Sequence, residues 1–568
     1  MTKKLFTLIT IGVMMFIMST VASAAIVFTN PPTSDTGIIT LVNAAQKKYP
    51  GETCVIKIEK SIDIGNTITI PSGVSIIIRR TASAGSLQMR VAKPNLPMFI
   101  VEEGGSLEFQ NNISSSAFYI QGTNGTATTN KRTVPLISVN GTVTIGSNIV
   151  FNRTALTETG VYGSVFCVNN GGVLNMNGGT IKNNTATGLG GAIAVLDGGN
   201  FNMNGGTLSG NTAIYSEDIS SSGNGGAIAV LGGGTVNLNG GTISGNTAST
   251  NGGAVYVQNG GTVNLGAVNI KNNTAVKNGG GVYSIGGNTT VGDVLMSGNT
   301  AAAGNGIYTV NSTSTTSSFT LGGQPTINDD ICIKAYPAKI ASDFAPTAAV
   351  PITLTKPTTS AIFKCEDSSA DYSDSLSISG FTTEGYDAAN YAFMTTQNGL
   401  VLTQKYTITY LDYDGSILST ESVWSGNDGF PPTPSDRDSY VFVGWDGDYT
   451  NVTEDRILRP VYKKADTIEL YADGEQTDGT VKTENGKTVS ISAAVYTEKS
   501  AKLILAEYRS GKLVGITDGT ADDNFKLTVS KSVSANSGTT LKAMLWIADG
   551  SLTPICAAQG VTFEETAE

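Results

Sequence analysis

No histidine occurs anywhere in the 568 residues. Every mechanism that uses a His base, a His partner for a nucleophile or a His metal ligand is therefore excluded. Charge is sparse: Asp, Glu, Lys and Arg make up 14 % of the chain, against roughly 25 % in typical soluble domains. The net charge is −11, which argues against a nucleic-acid partner, because phosphate binding needs clustered Lys and Arg. Five cysteines (Cys54, Cys167, Cys332, Cys365 and Cys556) are far apart and odd in number. Disulfide frameworks are short and Cys-dense, so these read as buried apolar thiols, with a single bridge left open. No Cys-x-x-Cys spacing exists to hold a metal, and no cofactor is expected. Phosphate loops, dinucleotide fingerprints and the Gly-Gly-x-Gly-x-Asp calcium repeat are also missing. Ala-, Leu- and Lys-rich runs are scarce, which excludes a helical bundle or a coiled coil.

What dominates instead is glycine, at 68 residues, with Thr, Asn, Ser and Val. The glycines follow no three-residue period, so this is not collagen. The length argues for several domains, since single cores stop growing near 250–300 residues. Residues 1–24 read as a secretory signal: Lys3 and Lys4 lead, Leu5 to Met18 is apolar, and Ala22-Ser23-Ala24 is a small-residue cleavage site. That apolar run is short of the ~20 residues a membrane span needs, and no second run of that length follows. The C-terminus shows no Leu-Pro-x-Thr-Gly wall-anchoring signal. The expected location is extracellular or at the cell surface, with a mature chain starting near Ala25 and no membrane insertion after cleavage.

Internal repeats decide the fold. One column reads Gly190-Gly191-Ala192-Ile193, Gly225-Gly226-Ala227-Ile228, Gly252-Gly253-Ala254-Val255 and Gly279-Gly280-Gly281-Val282. A second is Asn-Thr-Ala, beginning at Asn184, Asn211, Asn246, Asn273 and Asn299, spaced 27, 35, 27 and 26 residues apart. The long interval places an inserted loop at Ile214 to Ser221. Each period holds three short apolar alternations, such as Ile228/Val230, Val236/Leu238 and Ile243, and alternation at period two is strand logic. Gly-Gly and Gly-Asn supply turns with positive φ. Three strands per ~27 residues describe one turn of a right-handed parallel β-helix, whose coils bury a core only by stacking. The expected interior column is Val165, Ile193, Ile228, Val255, Val282 and Ile307, with Cys167, Val195, Val230 and Val257 beside it. The five Asn should stack as an amide ladder.

The period fades outside residues 160–312. Asn152-Arg153-Thr154-Ala155 resembles the Asn-Thr-Ala turn, Ile68 to Ile76 reads as strand, turn and strand, and residues 36–50 suggest a helix capping the open N-terminal edge. Degenerate coils should continue to about 405. The Gly-Gly-Ala-[Ile/Val] motif, with [Ile/Leu/Met]-x-x-Asn from Ile181 to Asn299, resembles the repeats of polymorphic outer-membrane proteins and related bacterial β-helix adhesins. The resemblance covers about a quarter of the chain and implies a surface or secreted adhesin.

From Tyr406 the composition changes. Tyr406-Thr407-Ile408-Thr409-Tyr410, the Asp414-Gly415 turn, Pro431-Pro432-Thr433-Pro434, Tyr440-Val441-Phe442-Val443-Gly444-Trp445 and Val461-Tyr462 together resemble the Listeria–Bacteroides (internalin B-repeat) module. That resemblance implies a β-grasp-like spacer or contact module over 406–464, with Trp445 in its core. Residues 465–568 alternate in longer strands with regular turn signals, resembling an immunoglobulin- or fibronectin-like sandwich. The fold expected for the whole is all-β: a β-helix over 25–405, a small β-grasp-like module and a β-sandwich.

β-Helices also carry polysaccharide lyases and glycoside hydrolases, which need paired carboxylates or calcium-binding acids on adjacent coils. Between Val168 and Ser312 the acids are Asp197, Glu217, Asp218 and Asp293, and no two share a strand column. Asp329-Asp330 reads as a turn. The expected function is therefore non-catalytic and adhesin-like, with glycans or surface proteins of a host or the environment, or the bacterial envelope, as partners. A carbohydrate-active enzyme and a passive spacer are the alternatives. The residue after each inward Ile or Val must point outward; that column reads Phe166, Ala194, Ala229, Tyr256, Tyr283 and Tyr308. Tyr256, Tyr283 and Tyr308 thus form a candidate ligand-contact stripe, since exposed aromatics in a row suit sugar rings and partner surfaces.

Overall fold

A computed structural model describes residues 25–566 except 83–84, 123–131, 159, 219–221, 311–316, 335–337, 355–361, 366–375, 379–389, 397–398, 498, 522–525, 537 and 549–552. The expected signal, residues 1–24, lies outside the described residues. The chain divides into two compact units at Thr403/Gln404, inside the strand Gly399–Leu411.

The first unit is a parallel β-helix. Equivalent strands of successive coils pair in parallel register, so every interior position becomes a column. One runs Ile193, Ile228, Val255, Val282, Ile307 and Ile331, all with no exposed surface. Among the described residues, its sheet holds twelve strands, from Ile68–Ile70 to Leu376–Ile378, and a second sheet holds ten, from Ile62–Ile64 to Thr326–Ile327. A third sheet stacks strands such as Val173–Met176, Asn200–Met203, Thr235–Leu238 and Thr262–Leu265. The coils also carry a short fourth strand that the alternation hides: Ala155–Leu156, Thr185–Thr187, Thr212–Ile214, Thr247–Ala248 and Thr274–Ala275 form a sheet of their own. It falls on Asn-Thr-Ala, where a single inward Ala is too short to show the apolar alternation of a strand.

Three expected registers are corrected. Phe166, not Val165, pairs with Ile193, and Cys167 pairs with Ala194. The turn glycine at Gly163 (φ +68°) corresponds to Gly190 (φ +71°), so the motif begins one residue later than the apolar pattern suggests. Phe166 therefore points inward, where it closes an edge-to-face chain of Phe99, Phe109, Phe151 and Phe166 with ring centroids 4.9–5.6 Å apart, and Cys167 moves to the outward column. Asn152 pairs with Lys182, and Thr154 takes the place equivalent to Asn184. Ile214 belongs to the short fourth strand, paired with Thr187, so the insertion is better bounded at Tyr215 to Ser222. Ile214 and Tyr215 are exposed at its start, while 219–221 lie outside the described residues.

The expected N-terminal cap is present as the helix Asp35–Lys48, with Ser34 Oγ accepting the Gly37 N–H at 3.2 Å. Ile38, Val42 and Ala45 join the solenoid core. Asp35 ties the helix to the first coil: its Oδ2 accepts the N–H groups of Gly65 (3.0 Å) and Asn66 (2.8 Å) and the Asn66 side-chain amide (2.9 Å). Burial alone would raise the Asp35 pKa, but the hydrogen bonds from Thr36, Asn66 and Gly65 outweigh it and hold the carboxyl below the usual range. A depressed folded pKa contributes stability above the unfolded value that is lost as pH falls through the folded one. Amide exchange at Ile38 and Val42 should therefore accelerate as pH falls below the ordinary Asp value of 3.8, relative to the Ile228 strand. Asp35→Ala should weaken docking by about 1–2 kcal/mol at neutral pH; unchanged exchange in that variant would refute the tie.

The second unit contains a small β module and a sandwich. In the module, Gly399–Leu411 pairs antiparallel with Ile417–Trp424 and parallel with Arg456–Leu458, and Tyr440–Trp445 pairs with Pro460–Lys464. Trp445, expected in the core, is half-buried and packs against the core residues Ile408, Tyr410, Val423, Val452 and Leu458, its ring centroid 5.0 Å from that of Tyr410. The sandwich comprises two five-stranded sheets closed around Leu470, Ile491, Leu503, Leu505, Val529, Leu541, Leu545 and Val561. Among the described residues, no helix is long and apolar enough to cross a membrane.

Candidate functional site

Two columns of the solenoid were candidates, the asparagines and the tyrosines. Both are consumed by structure, in different ways.

The Asn column is a continuous hydrogen-bonded chain running through buried positions. Asn184 Nδ2 donates to Asn211 Oδ1 (3.0 Å), and Asn211, Asn246 and Asn273 each donate to the next Oδ1 at 2.9 Å. Each Oδ1 also accepts the backbone N–H of the preceding rung, and each remaining amide hydrogen is given to a carbonyl such as Ile181 O, Leu208 O or Ile243 O. The chain ends on Asp329, whose Oδ2 accepts Asn299 Nδ2 (2.7 Å) and N–H (3.1 Å), while Oδ1 accepts the Gly298 N–H (2.8 Å). A carboxylate suits this terminus because every group facing it is a donor. Asp330 Oδ1 accepts the Asn305 N–H at 2.8 Å. The Asp329-Asp330 pair is thus a ladder terminus and a turn tie. Asp197 and Asp293 likewise accept turn amides, from Gly233 and Gln324. Among the described residues, no cluster of three or more His, Cys, Asp or Glu could hold a metal.

The Tyr column is built as its register requires: Tyr256, Tyr283 and Tyr308 are mutually paired and point away from the lumen. Their rings stack, with centroids 5.6 and 5.5 Å apart and planes within 1° and 14°. The column continues into Cys332, and the Lys334 ammonium lies 5.3 Å from the Tyr308 ring. The expectation that the stripe is exposed is corrected: the three residues are 5 %, 9 % and 5 % exposed. They form a second apolar cluster outside the lumen with Leu189, Ala229 and Cys332, against which Ala303, Ile285 and Val310 pack. A glycine four residues before the Tyr allows a close approach at the base of the column: a Cβ on Gly279 would sit 2.8 Å from Tyr283 Cβ, and one on Gly304 3.0 Å from Tyr308 Cβ. Burial, and secondarily the neighbouring Tyr283, pushes the Tyr256 phenol up; burial and Tyr308 do the same to Tyr283. Tetranitromethane should accordingly modify Tyr215 and Tyr413, 49 % and 51 % exposed, well before Tyr256, Tyr283 and Tyr308. Equal modification of all five at native conditions would refute the burial.

The thiols are quiet. Cys54, Cys167, Cys332 and Cys556 are unpaired among the described residues, and burial pushes Cys167 and Cys332 up to about 11, far from thiolate chemistry.

Two residues escaped sequence reasoning. Arg80 and Arg132 have no exposed surface, although a charged side chain is read by default as solvated. Arg80 donates to the carbonyls of Ala82, Ser116, Ala117 and Gly85 and to Ser116 Oγ; Arg132 reaches the Leu96 and Pro135 carbonyls. Both brace irregular coil corners, and nothing in their spacing announces it.

With this geometry in place, comparison with known proteins is informative at one point. Residues 240–258 match the repeat of the Chlamydia polymorphic membrane protein family. The matched stretch contains Asn246, the Gly252-Gly253 turn and Tyr256, the parts that set the coil. No curated protein and no solved structure matches the chain. The architecture and the repeat together fit a surface β-helix protein.

Proposed function

We propose that this chain is a non-catalytic, adhesin-like protein exported to the bacterial surface, with glycans or proteins outside the cell, or the envelope itself, as its partners. The observation that supports this most is the coincidence of the matched membrane-protein repeat with the residues that build the coil. The module at 406–464 is read as a surface-protein module of the Listeria–Bacteroides kind and the sandwich as immunoglobulin-like. Four solenoid acids support a non-catalytic reading: Asp197, Asp293, Asp329 and Asp330 all accept backbone amides, the work of turn ties rather than of a carboxylate pair for hydrolysis. Brief protease treatment of intact cells should degrade the protein, and fractionation should find a chain beginning near Ala25. Intact, uncleaved protein in the cytosol would overturn the reading. Incubation with pectin, alginate and glycosaminoglycans should release no unsaturated or reducing ends.

The burial of Tyr256, Tyr283 and Tyr308 favours a division of labour within this reading. The solenoid would serve as a stiff spacer, and ligand contact would belong to the second unit.

A further inference from the structure

A groove with a volume of about 570 Å³, within the ~300–1,000 Å³ of small-ligand sites, lies against one sheet of the C-terminal sandwich and is bordered by Thr517 and Asp518 on the strand Lys512–Asp518 of the other sheet. Cross-strand register explains its shape. Tyr471 lies opposite Ser492, which lies opposite Ser530; one pair along, Ala494 lies opposite Thr528. Four short side chains on adjacent strands therefore form a low floor, and the Tyr471 ring stands beside it. The ring is held in place, since the Tyr471 hydroxyl donates to Glu469 Oε2 at 2.7 Å. The lining is completed by Asp518 and Lys526, one charge of each sign.

That combination selects a ligand class. A half-buried tyrosine face beside a bed of hydroxyls suits a flat polyol whose one side is C–H and whose rim is OH. Balanced charges disfavour a polyanion. Of the two carboxylates at hand, Glu469 is engaged by the Tyr471 hydroxyl and by Lys463, which leaves Asp518 as the one lining acid where glycoside cleavage needs an acid and a base.

We propose that this groove binds a pyranose unit of an uncharged glycan, stacked on Tyr471 with its hydroxyls on Ser492, Thr528, Ser530 and Asp518. The proposal rests on the surface reading only for where such a glycan is met. Two sources share the chemistry, wall-type and mucosal sugars, so the test uses a tetrasaccharide of N-acetylglucosamine and a galactose-terminated tetrasaccharide.

Titration calorimetry of the full chain should show saturable one-to-one binding to at least one of them. Tyr471→Ala should weaken it by roughly tenfold or more, the scale of a lost ring contact, while Tyr471→Phe keeps the ring and should stay within about threefold. Thr528→Trp fills the floor from an exposed position and should abolish binding with unchanged circular dichroism. No binding of either sugar, or binding indifferent to both Tyr471→Ala and Thr528→Trp in folded protein, overturns the site. The surface reading fails separately, by protease protection on intact cells.

Discussion

Replacing Ile228 by Asp should destabilise the middle coils by about 5 kcal/mol or more. Ile228 has no exposed surface and is clamped in register between Ile193 and Val255. A carboxylate there would be buried in the apolar core of the solenoid, without a partner for its charge. Solenoid stability is close to a sum of coil interfaces, so the loss falls on the two interfaces that share this strand and spreads outward from them. The control is deletion of Tyr215 to Ser222, which restores the 27-residue spacing found in the neighbouring coils and should cost less than about 1 kcal/mol. Thermal and urea melts of the full chain by far-UV circular dichroism would compare the two. A deletion more damaging than Ile228→Asp would mean that the register is wrong.

Breaking the amide ladder at its centre should cost nearly as much. Asn246→Leu keeps the branched shape but orphans the Asn211 N–H, which donates to Asn246 Oδ1 at 2.9 Å, and the Leu208 carbonyl, which accepts from Asn246 Nδ2 at 3.1 Å. It also deprives Asn211 Nδ2 of its partner on the next coil. Buried groups left unpaired cost roughly 1–3 kcal/mol each, so about 3–5 kcal/mol is expected in total. Asn246→Asp should be no better, because an interior rung must donate as well as accept: its second oxygen would face Asn273 Oδ1. Asp is borne at 329 only because that position is the terminus. Equal stability of Asn246→Asp and the unaltered chain would show that the ladder is not a directional chain.

Much of this was legible in the residues themselves. The recurrence of Gly-Gly-Ala-[Ile/Val] and Asn-Thr-Ala identifies coils because each interior position is filled by the same residue type on every turn, and stacking makes one error visible against its neighbours. The capping helix was legible from Ile38, Val42 and Ala45 at helical spacing. The register slip at Phe166 shows the limit: Val165 and Phe166 are both apolar and both buried in the solenoid core, and only the turn geometry at Gly163 decides which of them heads the strand column that Ile193 continues.

The candidate site shows a different limit. Strand alternation correctly sends Tyr256, Tyr283 and Tyr308 away from the lumen, but outward is not the same as exposed. What buries them is a cluster of side chains from neighbouring coils, among them Leu189, Ile285, Ala303 and Val310, which are far apart in the sequence and form no pattern along it. The same holds for Arg80 and Arg132, whose partners are mainly backbone carbonyls, some nearby (Ala82, Gly85, Pro135) and some from a neighbouring coil (Ser116, Ala117, Leu96).

The sequence by itself thus determined the repeat, the coil length, the inward columns, the amide ladder and the module boundary near residue 405. Those depend on local alternation and on identity at a fixed period, both of which are written along the chain. The tertiary structure decided the fourth short strand, the role of Asp329 as ladder terminus, the burial of the tyrosines and the groove beside Tyr471. Each of these depends on which surfaces meet across coils or across a sheet, and no single segment carries that information.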